Sequence, residues 1–195
     1  MIITVLIILA VLVLYIFVTY NKFVTTKTRV GAAVQEIGNQ LKRQTDLIPN
    51  LVESVKGYLK HEKAIFKDLT EARKTVMSVI ESADAQKLID ASAQLQQALT
   101  PIRAVLESTP QLQAAGPTCQ LMEELRDTAD KVMYSRRTLI DLTADYNIMI
   151  VTIPSSFVAK LFGFSQLPGL KMPEVNEEAL SVSREETMTP KVKLD

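Results

Sequence analysis

The first twenty residues, MIITVLIILAVLVLYIFVTY, carry no charged side chain, and only Thr4 and Thr19 interrupt their apolar and aromatic character. At roughly 1.5 Å per residue, a helix of this length matches the roughly 30 Å hydrocarbon thickness of a bilayer and satisfies every backbone N–H and C=O internally. Residues 1–20 therefore predict a transmembrane helix, and whatever follows must be built on a single anchor. A cleaved signal peptide is the competing reading. It would carry a basic flank and a small-residue cleavage site, and this stretch has neither. Instead it closes on Tyr15, Phe17 and Tyr20, side chains suited to a membrane–water boundary. Tyr20, Asn21 and Lys22 are expected at that interface. Lys22, Lys27 and Arg29 follow the span at once, with Lys42 and Arg43 further on. The positive-inside rule then places the N-terminus outside and the body in the cytoplasm.

About 175 residues remain beyond the span, enough for one domain with its own core. Lys plus Arg and Asp plus Glu number 22 each, so no basic field points to nucleic acid. One cysteine, Cys119, rules out an internal disulfide and a multi-thiolate zinc site, and one histidine, His61, rules out His-rich metal centres. Neither a metal, a cofactor nor a small-molecule substrate is implied.

Apolar residues beyond the anchor alternate at steps of three and four, the period of a helix with one buried face. The first series is Phe23, Val30, Val34, Ile37 and Leu41, expected to continue the membrane helix outward. Pro49 in Asp46-Leu47-Ile48-Pro49-Asn50 removes a backbone donor and predicts a bend or a new start there, so that a second helix carries Leu51, Val52, Val55, Leu59, Phe66, Leu69, Val76 and Ile80. Ser82-Ala83-Asp84 offers capping chemistry for a third, with Leu88, Ser92, Leu95, Leu99, Ile102 and Leu106 in phase and a kink at Pro101. After Pro110, Gly116 and Pro117, Thr118 is placed to cap a fourth helix, which holds one heptad phase from Leu121 through Leu125, Thr128, Val132, Ser135, Leu139, Leu142, Tyr146 and Met149 to Ile153. That stripe is longer than the third helix's, so part of it is expected to need a partner. Pro154 ends it. Residues 155–162 form a short apolar helix expected to fold back on the bundle end, or alternatively to dip into the membrane surface. From Gln166 to Asp195 three prolines and repeated glutamates predict a disordered polar tail. The chain thus divides into an anchor (1–20), a helical domain (21–165) and a tail (166–195). Its class is all-α, an antiparallel, coiled-coil-like bundle of long helices on one N-terminal transmembrane helix.

Several of these residues form a known pattern. Tyr20-Asn21, then Gln40-Leu41-Lys42-Arg43-Gln44-Thr45-Asp46-Leu47-Ile48-Pro49-Asn50-Leu51-Val52, Val55-Lys56-Gly57-Tyr58, His61-Glu62 and Ala72-Arg73 resemble the signature stretch of the LemA family of bacterial membrane-anchored helical proteins. Tyr146-Asn147, Pro154-Ser155 and Ala159-Lys160-Leu161-Phe162-Gly163-Phe164 resemble that family's C-terminal motif, so the likeness spans roughly residues 20–165. Departures cluster in the fourth helix, where Ala129-Asp130 and Leu139-Ile140 stand in place of the family's Glu-Asn and Tyr-Asn, and Glu107-Ser108-Thr109-Pro110 replaces Glu-Ala-Tyr-Pro before it. The resemblance implies a bundle of long antiparallel helices on an anchor in the bacterial inner membrane; it does not imply a reaction.

Glu62 and Arg73 fall in or beside the apolar phase of the second helix, and a charge held there must be paired. Asp130 and Arg136 on the fourth helix complete an expected salt-bridge network that fixes helix register. His61 and Glu62 point about 100° apart on a helix and cannot converge on one ion. Thr128 and Ser135 have no base beside them and suit close helix approach, and Cys119 is expected to be a buried small side chain. No catalytic residue is expected. The function expected is a non-catalytic scaffold that assembles with itself or with other membrane proteins at the inner membrane; the alternative is an adaptor that recruits a soluble or proteolytic partner.

Overall fold

The computed structural model describes residues 1–57, 63–109 and 116–171. Among these the chain forms α1 (Ile2–Val55), α2 (Lys63–Ser82), α3 (Ala85–Ser108), α4 (Gly116–Val151) and α5 (Ser155–Phe162), with no strand. The all-α class is as expected.

One unbroken helix of 54 residues carries both the apolar N-terminal run and one side of the bundle. Within the first twenty residues Thr19 is buried, Ile16 half-buried and Tyr15 and Tyr20 partly covered, while residues 1–14 bare apolar surface on every side. From Phe23 onward a seam appears. Phe23, Ala33, Ile37, Leu41, Gln44, Ile48, Leu51 and Val55 are buried, and α4 lies against them with Leu125, Thr128, Val132, Leu139, Thr143 and Tyr146. The pairing is antiparallel and keeps register: Gln44 meets Leu125 and Phe23 meets Tyr146, contacts that are 21 residues apart on each helix. The middle of the fourth helix's stripe, from Leu125 to Tyr146, is covered by α1 of its own chain, whereas Ile153 at its end is bare. Thr118, expected as the cap of α4, already lies buried inside it.

Pro49 corrects a second expectation, because α1 passes through it to Val55. A proline inside a helix strips the donor from the carbonyl four residues back, here Thr45. That carbonyl is not left bare: Arg73 of α2 donates its Nε–H to it at 3.1 Å. An arginine from the next helix thus replaces the missing N–H, and α1 continues as a helix without a new start. Leu51, Val52 and Val55 consequently belong to α1, and α2 starts at Lys63; Leu59, His61 and Glu62 lie outside the described residues.

The α2–α3 hairpin closes the remaining side of the core. Asp84 caps α3 as expected, its Oδ1 accepting the Lys87 N–H at 3.1 Å, and Ala83 takes φ +50° to make the turn. Leu88, Ser92, Leu95, Leu99, Ile102 and Leu106 are all buried, the phase read from sequence, and Pro101 lies inside the helix. Buried hydroxyls satisfy themselves locally: Thr45, Ser92, Thr128 and Thr143 each donate to a carbonyl three or four residues earlier in their own helix. They are small polar fillers in a close-packed seam.

Residues 166–171 depart from the expected free tail. Asn147 grips Leu167 with both ends of its amide (Nδ2 to the carbonyl, 2.9 Å; N–H to Oδ1, 2.8 Å), and Gln86 grips Lys171 the same way (3.2 and 2.9 Å). Leu167 and Leu170 pack on the two apolar clusters of the bundle. The segment is an extended strap that ties the end of α4 to the start of α3, because two side-chain amides present the donor–acceptor pairing of a neighbouring strand.

Candidate functional site

Three chain segments meet where α1 leaves its apolar run. Tyr20 ends that run, and Phe23 is one turn further along and fully buried. α4 arrives antiparallel and must stop, since Pro154 offers no N–H to continue the ladder. Its last carbonyls are taken up locally: the Thr152 hydroxyl donates to Ile148, and the Ser155 hydroxyl to Met149 at 2.7 Å and Thr152 at 2.9 Å. α5 then runs from Ser155 to Phe162 and is capped by Gly163, whose φ of +72° suits a residue without a side chain. The Phe164 N–H reaches back to the Ala159 carbonyl at 2.9 Å, a Schellman closure.

This closure swings Phe164 onto α1. Its ring stacks on Phe23 at 4.8 Å and lies 5.7 Å from Tyr20, while Phe162 sits 4.8 Å from Tyr20 and Tyr146 meets Phe23 edge-on at 5.8 Å. Val158 and Ala159 turn inward to complete a small second core with Phe23 and Tyr146. Offset and edge contacts of this kind add about 0.5 to 1.5 kcal/mol per pair beyond area burial. The aromatic cap therefore locks α5 to the point where the apolar helix emerges. Tyr146 lies in this core with no hydrogen-bond partner for its hydroxyl among the described residues, and burial pushes its phenol pKa up. Of the expected interface residues, Tyr20 is half-exposed within the aromatic cluster, and Asn21 and Lys22 are exposed.

Among the described residues, Asp130 and Arg136 of the expected salt-bridge network are not paired with each other. Glu62 lies outside the described residues, and Asp130 points to solvent. Arg73 is half-buried and serves the Thr45 carbonyl. Arg136 lies half-buried between α3 and α4, its Nη1 3.4 Å from the Ser92 hydroxyl; burial lowers its pKa, and nearby Asp90 partly opposes the shift. A helix seam seen in sequence shows which residues are in phase, not which neighbour each side chain meets.

A different polar chain occupies the core. Arg103 donates to Gln96 at 2.8 Å, Gln96 to Gln44 at 3.4 Å, and the fully buried Gln44 to the Leu125 carbonyl at 3.4 Å, linking α3, α1 and α4. No charge pattern announced it, although Gln44 recurring in phase with Ile37, Leu41 and Ile48 was a legible sign. Cys119, expected to be buried, is exposed at the far end of α4. Among the described residues no three His, Cys, Asp or Glu side chains gather as metal ligands.

The fold and its aromatic junction define a helical bundle mounted on an apolar N-terminal helix, with one continuous helix shared by both. The LemA family model matches residues 33–183, and the chain belongs to the LemA family. It is also similar to the magnetosome protein MamQ of Magnetospirillum gryphiswaldense, 25% identical over 187 residues, which span 82% of this chain and 69% of that protein.

Proposed function

We propose that this protein is a non-catalytic scaffold of the bacterial inner membrane, anchored N-out and C-in by residues 1–20, whose bundle assembles with further copies or with other membrane proteins. One observation carries the reading. The spanning segment and the bundle seam are the same helix, so the body stands fixed to its anchor with no hinge between them. The 35 residues of α1 from Asn21 to Val55 reach about 50 Å from the membrane, a rigid post on which partners are held at a set height. The exposed surface of the spanning helix is the part of the molecule most open to other membrane helices. The adaptor reading draws on a separate observation: α1 already covers the α4 stripe from Leu125 to Tyr146, so the bundle needs no second copy to bury that part.

The test is the mass of full-length protein extracted in mild detergent, by light scattering with detergent correction, together with crosslinking in native membranes. Assembly predicts a defined multiple of the 21.7 kDa chain, or a stable stoichiometric complex with other membrane proteins. A monomer with no membrane crosslinks defeats the scaffold and favours the adaptor. Orientation is tested at the exposed Cys119. A membrane-impermeant maleimide added to intact cells should leave it unlabelled until lysis; labelling before lysis overturns the topology.

A further inference from the structure

We propose that the outer face of α5, with Phe157 and Leu161 at its centre, is inserted in the lipid bilayer beside the anchor, giving the protein a second, interfacial hold on the membrane. The proposal rests on the reading of residues 1–20 as membrane-spanning.

The first support is position. Tyr20 is the last residue of the apolar run, and its ring lies 4.8 Å from Phe162 of α5 and 5.7 Å from Phe164. α5 is thereby held within about one helical turn of the point where α1 leaves the hydrocarbon. The second support is exposure. Val158 and Ala159 face inward, whereas Phe157 and Leu161, four residues apart and so on one face, are 66% and 68% exposed. Ile148 and Val151 on the last turns of α4 and Ile153 in the turn beyond are bare as well, at 57%, 62% and 73%. Elsewhere beyond the span, the described residues expose only Val24, Met77, Met133 and Tyr134 among large apolar side chains. Bare aliphatic and aromatic surface is therefore gathered at the one end that touches the anchor, and lipid is the apolar phase known to lie there by continuity with the span.

Chemistry supplies the third support. Lys160 is exposed between Phe157 and Leu161 along the helix, the pairing of apolar insertion with a basic flank that suits an anionic headgroup layer. Interfacial helices bury their apolar side about 5 to 10 Å deep, a reach that the Phe157 and Leu161 side chains meet without moving the inward face. The aromatic contacts of Tyr20 and Phe23 then fix the height of α5 on the anchor, and inserting it restricts how the whole bundle tilts.

The chain has no tryptophan, so a single introduced indole reports its own surroundings. Full-length Phe157→Trp, Leu161→Trp and, as a wet control, Tyr134→Trp are reconstituted in phosphatidylcholine and phosphatidylglycerol vesicles, with and without bromine on the acyl chains. The expected result is blue-shifted emission from both α5 variants, losing most of its intensity in brominated lipid and little to aqueous iodide, while Tyr134→Trp shows the reverse. Emission from the α5 variants that matches the control overturns the proposal. Blue-shifted emission that brominated lipid leaves intact also overturns it, because protein and not lipid then covers the face. An alkaline carbonate wash of the vesicles separates the two readings: protein that washes off defeats the anchor and this proposal together, and protein that stays with a wet indole defeats this proposal alone.

Discussion

The two ends of the bundle bury aromatic and aliphatic residues by the same helical period, yet their exteriors differ. Along the stalk, 19 buried residues from α1 to α4 form one core and the outward positions are overwhelmingly polar or charged. At the anchor end Phe23, Tyr146, Val158 and Ala159 form a small enclosed core, and the outer shell of Ile153, Phe157 and Leu161 is as apolar as the inside. The stalk obeys the rule of a protein in water, apolar in and polar out. The anchor end does not, and that contrast identifies where the surrounding medium changes.

The comparison breaks or sharpens first at two large apolar positions. Leu139→Ala, in the fully buried stalk seam, should lower the unfolding free energy by about 2 to 5 kcal/mol, while Phe157→Ser should change it by less than about 0.5 kcal/mol in detergent. Chemical unfolding followed by circular dichroism checks both; a large loss from Phe157→Ser would make that face part of the folded core.

Next in size is the arginine that serves α1 at its proline. Arg73→Ala should cost about 1 to 3 kcal/mol by leaving the Thr45 carbonyl without a donor. In a Pro49→Ala background the restored N–H takes that carbonyl, and most of the cost should vanish. Additive effects in the double-mutant cycle would separate Arg73 from the proline.

A chain ending after Ser165 loses both amide grips of the strap, and one ending after Lys171 keeps them. The shorter chain should melt lower, by an amount equivalent to about 1 to 2 kcal/mol. Equal melting temperatures would make the strap incidental.

The smallest effect is at Tyr146. Tyr146→Phe removes a buried hydroxyl with no partner among the described residues and should raise stability by up to about 1 kcal/mol. Because burial raises the phenol pKa, the native state holds its proton to higher pH than the unfolded chain does. Wild-type stability is therefore full below the ordinary phenol range near pH 10 and falls as pH rises through it, a fall that the phenylalanine variant should lack.

Much of this was legible in sequence because helical packing is periodic. The spacing of Leu88, Ser92, Leu95, Leu99, Ile102 and Leu106 located α3, and the uncharged run located the apolar, exposed start of α1. What escaped were interactions whose partner lies far along the chain. Pro49 looked like a break because its own neighbourhood lacks a donor, and the compensation comes from Arg73, 28 residues from the Thr45 carbonyl it serves. The strap escaped for the same reason: nothing local in Gln166–Lys171 signals that Asn147 and Gln86 will receive it. Asp130 was misplaced because phase puts a residue near a seam without giving the rotation of its helix, and that rotation sends Asp130 to solvent.

The central claim is that one rigid helix joins the membrane to the far end of the bundle. Spin labels at Val18→Cys and Glu53→Cys in a Cys119→Ser chain, diluted with unlabelled protein in lipid nanodiscs, measure it by pulsed electron resonance. Both sites are exposed and lie on either side of Tyr20 and Pro49. A continuous helix predicts a single narrow distance near 50 Å, from about 1.5 Å per residue. A clearly shorter or broadly spread distance would show that α1 breaks between bilayer and bundle, and would contradict the account.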